Sequence, residues 1–205
     1  MSGKRNVWLP VLLMVVFAIT RWPGFMPPNF SAAYALFFCA GAFFPAALAW
    51  WLPMLVMLAA DVGVNIFYYH TAPLGWYMLA NYAGYAMLLG LGRKLGGRAS
   101  FLKLLGGSLL GAILFYLVTN SISWLQLPYA KTLLGWFTAL TKGLDGLPPT
   151  WTFFLRTLLS SGLFTALFVG SMKYSEHLES PAEKKAAETT DESEDKETQP
   201  EESKA

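Results

Sequence analysis

The chain alternates long apolar runs with short polar breaks. The runs fall at roughly residues 7–21, 31–44, 46–69, 75–92, 104–124 and 151–173. Crossing a hydrocarbon core takes about 20 residues at roughly 1.5 Å each, so the third, fifth and sixth runs are long enough to span, while the first two are short. Pro45 separates the second run from the third and Pro53 follows inside it, which predicts a tight turn and a kink rather than one continuous helix. A second run this short also fits a segment that enters the membrane without crossing it. A seventh, amphipathic stretch, Lys131 to Leu144, sets Leu133, Leu134, Trp136, Phe137 and Leu140 against Thr138, Thr141 and Lys142. It predicts a helix lying at the outer interface and capping whatever lies beneath.

Charge chooses between six crossings and five. Lys and Arg in short loops stay on the cytoplasmic side. With six crossings and an inside amino terminus, Lys4, Arg5, Arg93, Lys94, Arg98, Lys103 and Lys173 share one face, and Arg21, Lys131 and Lys142 the other. A re-entrant second run would put Lys4 and Arg5 opposite the Arg93 to Lys103 cluster. The expectation is an all-α polytopic membrane protein, a compact bundle of six transmembrane helices over residues 1–175 with both termini cytoplasmic. Of the 13 acidic residues only Asp61 and Asp145 precede residue 176, whereas 11 of the 15 Lys and Arg do; residues 1–175 therefore carry +9 and the remainder −7. Residues 176–205 have almost nothing apolar to bury and read as a disordered acidic tail on the cytoplasmic side. Lys4 and Arg5 ahead of an apolar run, with Ala33 and Ala35 beyond, resemble a secretory signal, but the stretch Trp22 to Phe30 between them reads as a structured outer loop.

Against this background the few polar residues inside the runs stand out. Asp61, Asn65, Asn81, Asn120 and Arg156 come from four runs, yet the topology places all of them near the outer face. Asp61 sits roughly 10 Å and Arg156 roughly 7 to 8 Å below it, close enough in depth to pair. Asp61 with Asn65, Asn81 with Tyr85, Asn120 with Trp124, and Arg156 with Ser160 are each spaced i, i+4 and share a helix face. Polar groups are costly in a bilayer and tend to face a bundle interior or a wet cavity, so convergence at one depth predicts a small-molecule pocket. A structural ion pair and interhelical amide bonds account for the same residues singly. Small residues at Gly107 and Gly111, at Gly162, Ala166 and Gly170, and at Ala42 and Ala46 predict close helix contacts.

Other chemistries find little footing. The chain has a single cysteine, Cys39, and two isolated histidines, which excludes a disulfide, a thiolate metal site and a histidine metal centre built from this sequence. No paired carboxylates, phosphate-binding glycine loop or Ser/His/Asp set appears, so neither an enzyme nor a cofactor is expected. The basic cluster Arg93 to Lys103 lies between two spans, where topology and anionic lipid headgroups explain it without nucleic acid.

Pro27-Pro28-Asn29-Phe30, Asp61 with Asn65, Thr119-Asn120 followed by Trp124, and Tyr129 ahead of the amphipathic stretch together resemble an uncharacterised bacterial family of six-span inner-membrane proteins. That family, a domain of unknown function, is similar to the substrate-binding S components of energy-coupling-factor transporters, and the resemblance covers about residues 7 to 173. It implies a six-helix bundle that captures a vitamin or small metabolite near the outer face and partners a membrane-embedded coupling subunit with cytoplasmic ATPases. Carried over by position, it implies Asn29, Asp61, Asn65, Asn120 and Arg156 as ligand contacts. One departure is plain: many such subunits dock through Ala-x-x-x-Ala on the first helix, and here Ala18 has Met14 and Trp22 four residues to either side. Two other functions stay open on the residues alone: a self-sufficient carrier using Asp61 as a proton site, and a non-transporting membrane scaffold.

Overall fold

A computed structural model describes residues 8–178 of the chain. The described residues form eight helices: α1 (Trp8–Arg21), α2 (Ala33–Phe43), α3 (Ala46–Ala49), α4 (Trp51–Phe67), α5 (Tyr77–Leu95), α6 (Phe101–Gln126), α7 (Leu133–Leu140) and α8 (Thr150–Leu178). No strand occurs among the described residues. The third apolar run becomes α3 and α4, every other run becomes one helix, and the amphipathic stretch becomes α7. Lys4, Arg5 and the acidic tail beyond Leu178 lie outside the described residues; α8 itself continues three residues past the expected boundary at 175.

The breaks follow from local chemistry. Phe44 adopts an extended conformation before Pro45, and Pro45 opens α3 by accepting from the backbone N–H groups of Leu48 and Ala49. Pro53 then interrupts the run. Its ring excludes the carbonyl one turn earlier, and the helix is broken at Trp50 so that Pro53 falls in the first turn of α4, where no N–H is needed. Ser100 caps α6 by accepting from the Lys103 N–H, Thr132 caps α7 by accepting from Gly135, and Gly96 ends α5 at φ +69°.

Ala46–Phe67, Phe101–Gln126 and Thr150–Tyr174 are long and apolar enough to cross a membrane. Their outward faces suit lipid: on α8, Leu155, Leu159, Leu163 and Leu167 form an exposed stripe while Thr157, Ser161, Phe164, Thr165 and Phe168 are buried on the opposite side. α2 differs from all the others. Ten of its eleven residues are buried, and a helix apolar all round is one enclosed by its own protein. It touches α1, α4, α5, α6 and α8, so the bundle is built around it.

The closest approach is between α2 and α5. A Cβ built on Gly41 would sit 2.0 Å from the Leu89 carbonyl oxygen, and one built on Gly92 would sit 2.0 Å from the Phe38 carbonyl oxygen. Backbone meets backbone there, and no side chain fits. Among the small residues singled out in the sequence, Gly107 packs against Leu95 and Phe38, and Gly111 against Leu88, whereas Gly162 and Gly170 have looser neighbours. Between α6 and α8, Ser108 bonds Ser161 at 2.8 Å and Thr165 at 2.7 Å in a buried hydroxyl cluster.

Two ends of the bundle emerge. At one, Arg93 donates to the Phe44 carbonyl and Lys173 to the Gly97 carbonyl, which ties the last turns of α2, α5 and α8 together. At the other meet the end of α1, the start of α2, the end of α4, the start of α5 and the end of α6. The long helices therefore run alternately from one end to the other.

Candidate functional site

A cavity of about 650 Å³ opens at this second end. Its floor is aromatic. Tyr85 is sandwiched between Phe37, stacked at 4.5 Å, and Phe115, stacked at 5.1 Å, while Tyr34 meets Phe115 edge to face at 5.2 Å. Of these, Tyr34, Tyr85 and Phe115 line the cavity. Tyr34 is held by the hydroxyl of Thr157, which donates to its phenol oxygen at 3.3 Å.

One wall carries an ion pair. Arg21, in the last turn of α1, donates through Nε at 2.9 Å and through Nη2 to the same Asp61 oxygen, Oδ1. Tyr82 of α5 donates to Asp61 Oδ2 at 3.2 Å. The carboxylate is buried and both its oxygens are engaged; the guanidinium is about one-third exposed, at 34%. This replaces the expected pairing of Asp61 with Arg156. α1 packs against α4, which places Arg21 beside Asp61, whereas α8 packs on α2 and α6 and carries its arginine elsewhere. Arg156 lies with its guanidinium carbon 5.9 Å from the centre of the Phe153 ring and does not line the cavity.

The amides are distributed round the opening. Asn29, Asp61, Asn65, Asn81 and Asn120 all line it, as do Thr119 and Ser123. Asn65 donates to the Pro73 carbonyl at 3.1 Å and so also pins the loop that follows α4. Asn120 donates to the Tyr116 carbonyl on its own helix at 2.9 Å. Asn29 holds φ +64°, a left-handed conformation that Asn tolerates better than most residues. Trp124 stays outside: its indole N–H donates to the Ala130 carbonyl at 2.8 Å, and with Lys131, which donates to the Trp124 and Leu127 carbonyls, it fastens the turn into α7.

The roof is also not the expected one. Trp136 of α7 donates to Ser121 at 2.8 Å, and Tyr116 of α6 donates to the Leu140 carbonyl, so α7 is clamped to α6 and contributes no residue to the cavity lining. The loop between α1 and α2 does so instead, through Trp22, Pro23, Gly24, Met26, Pro27, Pro28, Asn29 and Phe30. A bridge between Pro23 and Met26 and the T-shaped contact of Trp22 with Tyr68 at 6.4 Å shape this loop.

Arg21, Tyr82, Tyr34 and Phe115 were not singled out by sequence reasoning. Arg21 read as an outer-loop charge because it ends an apolar run; the clue was that it also closes the last turn of that run. No group of three or more His, Cys, Asp or Glu able to hold a metal occurs among the described residues.

Comparison with known proteins adds the family. Residues 1–183 match the model of a family of unknown function, DUF6580, and the chain belongs to that family. No curated protein matches it. No solved structure does either.

Proposed function

We propose that this member of DUF6580 is a substrate-capture subunit, S component-like, that takes up a small metabolite or vitamin at the outer face of a bacterial inner membrane. In this reading all six apolar runs cross, α2 included, and both termini are cytoplasmic. Support comes from charge: Arg93, Lys94, Arg98, Lys103 and Lys173 gather at the end of the bundle opposite the cavity, and basic residues favour the cytoplasmic side. The cavity then opens outward.

The observation that carries the proposal is the placement of five polar residues from separate elements, Asn29, Asp61, Asn65, Asn81 and Asn120, around one aromatic-floored cavity. Beneath it α2 and α5 are in backbone contact. Moving a ligand past that contact calls for helix movement, which is work for a membrane-embedded coupling subunit with cytoplasmic ATPases. A carrier that uses Asp61 as its proton site finds less support, because both carboxylate oxygens already have donors.

Two measurements test the reading. With Cys39 changed to Ser, single cysteines at positions 29, 81 and 120 are expected to react with a membrane-impermeant maleimide added outside the cell. Gently purified protein is expected to carry a small molecule in native mass spectrometry. Labelling only from the cytoplasmic side, or protein free of small molecules from every growth medium, sinks the proposal and favours the scaffold.

A further inference from the structure

The floor of the cavity holds a polar group that the protein itself leaves unmatched. Tyr85 is only 5% exposed, both faces of its ring are covered by Phe37 and Phe115, and its hydroxyl has no hydrogen-bond partner among the described residues. Yet no fully enclosed side-chain oxygen or nitrogen lacks a partner, so the hydroxyl is reached from the cavity that Tyr85 lines. Buried hydroxyls are ordinarily hydrogen-bonded, and this one is presented where a ligand would lie. One turn back on the same face of α5, the Asn81 amide also lines the cavity without a partner among the described residues. Together they form a ladder of about 6 Å along the helix: an amide that both donates and accepts, then a hydroxyl.

Charge narrows the occupant further. Arg21 and Asp61 are the charged residues in the lining, and they are bonded to each other. Their charges already balance, so the lining offers an ionic ligand no net counter-charge to offset its loss of water. A neutral one needs none. Resting on the capture reading above, we infer that the site takes an uncharged, flat nitrogen heterocycle with a lactam edge. Its adjacent C=O and N–H meet the Asn81 amide, and a second carbonyl or ring nitrogen accepts from the Tyr85 hydroxyl. The ring lies over the aromatic floor, where flat apolar faces pack well.

Equilibrium dialysis of the detergent-purified full chain against uracil, hypoxanthine, 2-quinolone, orotate and benzamidinium at neutral pH tests this. The lactams are expected to be retained over orotate and benzamidinium, and Tyr85→Phe is expected to weaken their retention roughly 3- to 10-fold, the loss of one neutral hydrogen bond. Tyr85→Phe removes an oxygen that bonds nothing in the protein, so its melting temperature is expected to match the parent; a large drop with unchanged retention would show the hydroxyl to be structural and overturn the inference. Retention of orotate or benzamidinium in preference to uracil overturns the neutral class and leaves the capture reading standing. Retention of none overturns the class as well, while the co-purified molecule sought above decides the capture reading separately.

Discussion

Arg21 and Asp61, forty residues apart, join the last turn of α1 to α4 through two guanidinium donors on one carboxylate oxygen. The bond is a hinge pin between the first helix and the rest of the bundle, since few other polar contacts reach α1. Changing Arg21 to Met leaves Asp61 buried with only Tyr82, and is expected to cost roughly 1–3 kcal/mol, less than a fully enclosed pair because the guanidinium is partly exposed. Changing both, Arg21→Met with Asp61→Leu, is expected to cost less than the sum of the singles. A double-mutant cycle on thermal unfolding in detergent checks this; strict additivity would mean that the two side chains do not interact.

The crossing of α2 and α5 has no room for a methyl group. Gly41→Ala and Gly92→Ala force carbon into a carbonyl oxygen, and each is expected to lower stability by about 2 kcal/mol or more, or to prevent folding. Gly106→Ala, in open space on α6, is the matched control and is expected to stabilise by up to roughly 1 kcal/mol through helix propensity. Expression level and melting temperature of the three variants decide it.

Arg156 and Trp124 are expected to be dispensable for ligand retention. Arg156→Gln and Trp124→Phe should leave binding within about twofold, because neither residue lines the cavity. Trp124→Phe is instead expected to loosen residues 127–131, seen as faster proteolysis there, since the bond to Ala130 is lost. Loss of binding in Arg156→Gln would return that arginine to the site.

The roof depends on one backbone conformation. Asn29→Gly is expected to be neutral, whereas Asn29→Val is expected to cost roughly 1–2 kcal/mol because φ +64° crowds a branched side chain. Val at this position should also weaken ligand binding by displacing Phe30 and Pro28 at the mouth. Equal melting temperatures for the two variants would remove the loop from the account.

Much of this fold was legible in hydropathy alone, because a helix in an apolar run is dictated by where the run starts and stops. Pro45 and Pro53 announced a turn and a kink, though not that the break would fall at Trp50, and the amphipathic pattern announced α7. Depth along a helix was legible too: Asp61, Asn65, Asn81 and Asn120 line one cavity because each lies within about two turns of the same end of the bundle. Which helix stands beside which was not legible, since an apolar stripe specifies burial and not a neighbour. That gap produced the pairing of Asp61 with Arg156 rather than Arg21. It also made α7 the lid in place of residues 22–30. The crossing at Gly41 and Gly92 escaped notice for a related reason: Gly41 has Phe37 and Pro45 four residues to either side, and the residue four after Gly92, Gly96, lies past the end of α5, so the spacing does not mark a helix face.

Because α2 is sheathed by the protein on every side, lipid offers it nothing. The two helices that cover it most, α5 and α8, are both synthesised later. The hub is therefore made before most of its spokes, and its apolar surface stays uncovered by its own protein until they follow.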